Sequence, residues 1–466
     1  MRRRVRIFCG VRSGDDTTAP RKGDPVLKPR HDPYKVLALP GFRSLVLGNL
    51  LVHVGTSAQS LAIGWEMYTR TNEALALGLI GLMQALPMFL LTLPAGYLAD
   101  VFDRRKVMIA GMAGATATSA GLALFSMMRG QVEWMYALLF LDAAFQRLAG
   151  PARQALLPLV VPSGQFEAAV KWRSTLTHLS AVAGPAIGGM IISRSLPAAY
   201  LFCAATSLCY IVLLARLRVR DARRTERGDM LRQVAEGLRF VWRRSTILGC
   251  ISLDMFAVLL GGAVYLLPIF ARDIIEGAPP GLGPEQVLGW LRAAPAAGAI
   301  VMALLLAHLP PMRRAGRTLL SCVAAFGLAT IVFGISRSFW LSLAALFLTG
   351  FFDNVSIVIR HTLVQLRTPN EMRGRVSAVN SIFIGSSNEL GGFESGLVAH
   401  FAGPVLSVVS GGIGTLLVVG AWTRLFPGLR SIGPLDEEGA GGQEQPAPSR
   451  PGEASRSPDS KPGETG

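Results

Sequence analysis

The chain has 466 residues, of which 51% are hydrophobic and only 16% are charged, and its formal net charge is +16. A water-soluble domain carries about 25% charged residues, so a string of soluble domains is excluded; the charge deficit lies between Phe42 and Phe426, and the ends are polar. The positive residues recur in short clusters between apolar runs rather than in one patch, which argues against a nucleic-acid-binding face and follows the retention of Lys and Arg on the cytoplasmic side of membrane proteins.

Residues 1–42 are basic and rich in Pro and Gly, and no apolar core of signal-peptide length directly follows the opening Met-Arg-Arg-Arg. They read as a largely disordered cytoplasmic tail. A bilayer core of about 30 Å needs roughly 20 apolar helical residues. Twelve runs meet that need, over 43–68, 75–99, 107–128, 132–152, 166–193, 197–217, 246–271, 285–308, 317–336, 338–362, 374–400 and 403–426. The expected fold is therefore all-α and polytopic, with twelve transmembrane helices in two six-helix pseudo-repeats. One bundle is expected over 43–217 and a second over 246–427.

The loops alternate in charge. Arg104, Arg105 and Lys106 follow span 2, a dense Arg series runs from Arg216 to Arg244 after span 6, Arg313, Arg314 and Arg317 follow span 8, and Arg367, Arg373 and Arg375 follow span 10. The opposite loops are short and carry isolated charges at Arg70, Arg129, Arg194 and Arg337. That alternation places both termini in the cytoplasm. The linker over 218–245 contains Met230, Leu231, Val234, Leu238, Val241 and Trp242 at helical spacing against Arg232, Glu236, Arg239 and Arg243. This predicts an amphipathic helix on the inner membrane surface. Residues 428–466 turn to Gly, Pro, Glu and Ser, too poor in apolar groups to offset ordering, and read as a disordered cytoplasmic tail.

The halves repeat. Ala-Leu-Leu-Phe-Leu at 137–141 matches Ala-Ala-Leu-Phe-Leu at 344–348, and the same register sets Arg153 against Arg360, Leu156 against Leu363 and Pro162 against Pro369. No phosphate-cradling G-x-x-x-x-G-K-[ST] and no H-E-x-x-H occurs, which removes the usual residues of ATP-driven transport and of metallopeptidase chemistry. The five cysteines lack zinc spacing. No cofactor or metal is expected, and no enzyme activity.

The turn Gly96-Tyr-Leu-Ala-Asp-Val-Phe-Asp-Arg-Arg-Lys106 joins spans 2 and 3. It resembles the signature loop of the major facilitator superfamily, G-x-L-a-D-r-x-G-r-r-k, through Gly96, Leu98, Asp100, Arg104, Arg105 and Lys106. Val101 and Asp103 depart from that pattern; an acid at the second position is a feature of the branch related to the enterobactin exporter. In span 5, Gly184-Pro185-Ala186-Ile187-Gly188-Gly189 resembles the G-P-x-x-G-G of the superfamily's drug–proton antiporters. Gly184 and Gly188 are four apart and share a helix face, which lets a neighbouring backbone approach closely, and Pro185 removes a backbone hydrogen bond.

The resemblance implies a central pathway lined by spans 1, 4, 7 and 10, around which the halves rock. Ionisable residues inside spans face partners or water-filled cavities, which singles out Asp142, Asp254 and Asp353 as proton-coupling candidates, with Glu389 and Glu394 in span 11. Either Asp254 or Asp353 is the expected proton carrier, because loss of water favours a neutral carboxyl; a structural ion pair of Asp353 with Arg360, seven residues on, is the competing reading. Gln146, Arg153, Arg360 and Asn380 are polar cavity candidates, Gln59, Gln84, Trp65 and Phe89 candidate cavity wall, and Gly391-Gly392 a candidate helix break. The implied function is a proton-coupled exporter of bulky, partly apolar small molecules such as drugs or a siderophore, working as a monomer in a bacterial-type inner membrane. Uptake of a small nutrient by symport or uniport is the alternative.

Overall fold

The computed structural model of the protein describes residues 34–217, 230–310 and 312–434. Residues 1–33 and 435–466 of the expected tails and the part of the arginine series over 218–229 lie outside the described residues; the inner ends of both tails are ordered rather than disordered, with a 3₁₀ turn over Lys35–Ala38, a helical turn over Pro427–Arg430, and Val36, Phe42, Leu429 and Ile432 buried. Six long helices come first: α1 (Pro40–Thr71), α2 (Ala74–Val101), α3 (Arg104–Met127), α4 (Val132–Val160), α5 (Phe166–Ile192) and α6 (Leu196–Ala215). The linker helix α7 (Met230–Arg243) leads to α8 (Ser245–Leu260) and the three-residue α9 (Leu267–Ile269). Then come α10 (Pro284–His308), α11 (Ala315–Ile335), α12 (Phe339–Leu366), α13 (Arg373–Ala402), α14 (Pro404–Leu425) and the short α15 (Pro427–Arg430).

Helices satisfy their own backbone groups, so they are the expected element where the surroundings are hydrocarbon. Ten segments among the described residues are long and apolar enough to cross a membrane. The two of the twelve expected spans outside that set are α4 and α13. Both have the length, 29 and 30 residues, but they carry Asp142, Gln146, Arg147 and Arg153, or Asn380, Glu389 and Glu394. Large apolar side chains such as Leu90, Leu124, Leu201, Leu304 and Leu417 are exposed on the bundle's outside, where lipid tails would meet them.

The helix pairing occurs twice. In the first half α1 packs on α5 and α6, α2 on α4, and α3 on α4 and α6. In the second half α8 packs on α13 and α14, α10 on α12, and α11 on α12 and α14. The halves meet along two seams, α2 against α13 and α5 against α10. Both seams are backbone to backbone at one end. A Cβ placed on Gly396 would lie 2.4 Å from the Gly78 Cα, and one on Gly289 would lie 2.7 Å from the Pro185 carbonyl oxygen.

The expected break at Gly391-Gly392 is not there: α13 runs unbroken from Arg373 to Ala402. Those glycines instead admit the α8 backbone and the Tyr265 ring, 2.8 Å and 2.6 Å from where their Cβ atoms would sit. The interruption falls on the neighbouring element, at Gly261-Gly262, where α8 gives way to a 3₁₀ turn (Ala263–Leu266), α9 and a π turn (Phe270–Ile274). Pro268 follows that break, and its missing N–H accords with an irregular stretch there.

Two local details follow from single residues. Asp103, the departure from the loop pattern, is the N-cap of α3, accepting from the backbone N–H of Arg105 at 2.9 Å and of Lys106 at 3.3 Å. Part of the apolar stripe of α7 is covered by protein: Val234, Leu238 and Val241 pack with Ile247, Ile251, Val364 and Val376, while Trp242 is exposed. Arg375 fastens this helix by donating to Glu236 at 2.6 Å.

Substituting Gly396→Val wedges a side chain into the α2–α13 seam. Overpacking of this kind costs about 1–3 kcal/mol, so the thermal unfolding midpoint of the purified variant in detergent is expected to fall; an unchanged midpoint contradicts the backbone contact.

Candidate functional site

A cavity of about 590 Å³ lies between the halves. It runs from mid-bundle, at Ile63, Gln84, Leu139 and Glu389, toward the end that carries the Arg104–Lys106 turn, where Gly96, Gln154, Val234 and Ala378 line it. At the opposite end the halves are shut. Gly189 faces Gly289 and Gly78 faces Gly396, Tyr68 hydrogen-bonds to Asp273, and Arg272 donates to the Asn72 side chain at 3.0 Å. The G-P-x-x-G-G segment serves two contacts at once. Gly184 and Gly188 admit Ser57 and Ala58 of α1, and Gly189 admits the Glu285 and Gly289 backbone of α10 in the other half.

Asp142 is the centre of the cavity's polar wall. It is 5% exposed, and three neutral groups surround its carboxylate. Gln59 donates to Oδ2 at 3.3 Å, Gln146 to Oδ2 at 3.0 Å, and Thr118 reaches Oδ1 at 2.9 Å. No Lys or Arg forms an ion pair with Asp142 among the described residues. The Thr118 hydroxyl also lies 2.9 Å from the Ala115 carbonyl oxygen. One hydroxyl has one hydrogen, so it serves the carboxylate or the carbonyl, not both.

Glu389 approaches from α13. It accepts a hydrogen bond from the Tyr265 hydroxyl and lies 3.7 Å from Arg147 of α4, so this pair crosses the cleft between the halves. Tyr265 is also 3.4 Å from the Gln84 amide oxygen.

The remaining candidates lie elsewhere. Asp254 is paired with Arg360, both nearly fully buried; the partner of Arg360 is thus Asp254 and not Asp353. Asp353 shares a separate small pocket with Asp254, Ala257 and Phe326. Arg153 contacts the Met112 sulfur at 3.8 Å, and its Nε has no hydrogen-bond partner. Asn380 is buried, with its side-chain oxygen unpartnered, and does not line the cavity. Glu394 meets Ser395 at 3.4 Å. Trp65 is in the hydrophobic core and Phe89 is 52% exposed. In the loop motif Gly96 lines the cavity, Asp100 is exposed, and Arg105 donates to the terminal carbonyls of α6 at Leu214 and Ala215.

Three site residues escape sequence reading. Arg147 adjoins the candidate Gln146 and is an intramembrane charge, a signal that was present. Thr118 gives none, because a helical Thr ordinarily satisfies itself on the preceding turn, as Thr56, Thr69 and Thr116 do here. Tyr265 is placed by the break in α8, which follows from packing.

Known proteins resemble this chain in sequence and in fold. Residues 32–439 match the family described as transmembrane secretion effector. The chain is 27% identical over 379 residues to the multidrug efflux pump Tap of Mycobacterium tuberculosis (strain ATCC 25618 / H37Rv), covering 77% of this chain and 87% of that protein. It is 25% identical over 382 residues to the enterobactin exporter EntS of Escherichia coli O1:K1 / APEC, covering 81% and 90%. Among solved structures, a bacterial homologue of the human lysosomal transporter Spinster, inward-facing and unoccupied, superimposes with a TM-score of 0.66 at 14% identity, covering 84% and 98%. A D-xylose–proton symporter gives 0.64 at 13% identity, covering 84% and 98%. These structures share the fold.

Replacing Asp254 by Asn leaves the Arg360 guanidinium buried without its carboxylate. Breaking a buried pair costs about 3–5 kcal/mol, so Asp254→Asn is expected to lower the thermal midpoint far more than Asp353→Asn. Equal midpoints for the two variants contradict the pairing.

Proposed function

The chain belongs to the transmembrane secretion effector family within the major facilitator superfamily, and on that premise we propose that it is a proton-coupled exporter of partly apolar small molecules. Its membrane is a bacterial-type inner membrane, it acts as a monomer, and the Arg104–Lys106 side and both termini face the cytoplasm, in keeping with the basic loops. The cavity reaches that side, so this is the state that loads from the cytoplasm. Rocking of the halves parts the two glycine seams and closes the basic end, and the load leaves on the far side.

The single observation that carries the coupling is the shell of Asp142. When the carboxyl is ionised, Gln59, Gln146 and Thr118 all donate to it. When it is protonated on Oδ1, it donates to Thr118, and Thr118 turns its hydrogen to the Ala115 carbonyl. Both states keep every partner in place, so a proton binds and leaves without a buried group losing its hydrogen bond. Asp254 lacks this freedom. Protonating it strands the Arg360 charge. The proton carrier is therefore assigned to Asp142 ahead of Asp254 or Asp353, with Glu389 as a second carboxylate facing the same space. The names of Tap and EntS support export of drugs or a siderophore over nutrient uptake.

Flux of a fluorescent drug in proteoliposomes under an imposed pH gradient tests this. Export driven by the inward proton gradient is expected, and Asp142→Asn should reduce the gradient-dependent part to the level of empty vesicles. Wild-type flux that ignores the gradient removes the antiport reading.

A further inference from the structure

We propose that the exposed face of the linker helix α7, at its junction with α8, is a docking site for the headgroup of an anionic phospholipid.

Helix α7 has two faces with different partners. At about 100° per residue, Val234, Leu238 and Val241 fall together on the side packed against the second half, where the Gly237 backbone also meets that of Arg375. Trp242, Ala235, Arg239, Arg232 and Arg243 follow one another around the side turned away, over an arc of about 100°. All five are exposed.

The charge on this arc is uncompensated. Glu236 is the one acid in α7, and it is engaged twice, by Arg232 at 3.1 Å and by Arg375 at 2.6 Å. Arg239 and Arg243 have no carboxylate within ion-pair distance among the described residues. Four residues apart, they stand side by side on the helix surface. Guanidinium forks so placed suit a phosphodiester, whose oxygens accept paired N–H bonds. Arg244 lies over the Phe240 ring at 5.9 Å and adds positive charge at the same end.

Trp242 supplies the second observation and sets the height of the site. It is 65% exposed, although an indole ring gains from leaving water. Tryptophan gathers at the membrane–water boundary, with its ring among the headgroups. Helix α8 begins at Ser245, three residues on, and the membrane-crossing segment Ser245–Ile274 begins with it. Trp242 is therefore at the rim where the chain enters hydrocarbon, and Arg239 and Arg243 are beside it at the level of lipid phosphates. A basic amphipathic helix directly before a span attracts acidic lipids. An acidic protein or a nucleic acid would answer the arginines but would not account for an exposed indole at the rim. A headgroup held here fixes a helix whose Val234 lines the cavity and whose Glu236 holds α13 through Arg375.

The test follows tryptophan fluorescence of the purified full chain in detergent, titrated with phosphatidylglycerol or phosphatidylcholine carrying brominated acyl chains as quenchers. The difference between the full chain and Trp242→Phe isolates this ring from the other tryptophans. Phosphatidylglycerol is expected to quench Trp242 at about 25-fold lower lipid content than phosphatidylcholine, about fivefold for each of Arg239 and Arg243. Arg239→Gln and Arg243→Gln should each remove about fivefold of that preference. Arg243→Lys keeps the charge and should keep most of it, which separates lost charge from lost fold. Added salt should erode the preference in the wild-type chain, because exposed charges are screened. Equal quenching by the two lipids overturns the proposal and reduces the contact to ordinary surrounding lipid. Quenching by neither lipid also overturns it, by turning the arc toward the cytosol.

Discussion

Backbone-to-backbone contact at two glycine seams is the constraint on which this architecture depends. Gly78 against Gly396 and Gly189 against Gly289 bring α2 to α13 and α5 to α10 closer than any side chain would allow. In lipid there is no hydrophobic drive between helices, so close packing of small residues carries association. Because both seams are tight at the same end, the halves splay at the other, and the cavity is the space that splaying leaves. The G-P-x-x-G-G segment has a role in both directions. Its first and fourth-following glycines fix α5 to α1 within one half, and its last meets the other half. A single stretch thus ties the internal packing of one bundle to the closure between the two.

Charge inside this bundle is handled in three different ways, and the differences separate structure from chemistry. Asp254 and Arg360 cancel each other, buried, away from the cavity. Arg147 and Glu389 face each other across the cleft at a longer distance, where motion of the halves would part them. Asp142 has neutral donors alone. An ion pair resists a change of protonation because one charge would be stranded. A carboxyl among amides and a hydroxyl has no such barrier. The candidate site is thus defined less by which residues are charged than by which charge lacks an opposite.

Much of the frame was legible in the chain. Apolar runs of membrane-crossing length, basic loops alternating with weakly charged ones, and the register of Arg153 with Arg360 specified helices, their order and an internal repeat, because hydrocarbon imposes length and composition on every span. The same rule accounts for the two weakest spans. Helices α4 and α13 fall short of the apolarity that lipid asks because one flank of each faces the cavity. Sequence also marked Asp142, Gln146, Glu389, Gln59 and Gln84, which line the cavity, and Arg153, Arg360 and Asn380, which do not.

Sequence by itself determined that this is a helical, membrane-embedded chain of two related halves, since composition and period are properties of each segment alone. It did not decide that Arg360 belongs to Asp254, that the break falls at Gly261-Gly262 and not at Gly391-Gly392, that Val234, Leu238 and Val241 of α7 pack on α8, α12 and α13, or that Thr118 and Arg147 join the site. Each of those depends on which residue from a distant segment arrives opposite, at what height along the helix and at what rotation. Only the packed bundle fixes these, because a partner on another helix leaves no mark on the local pattern.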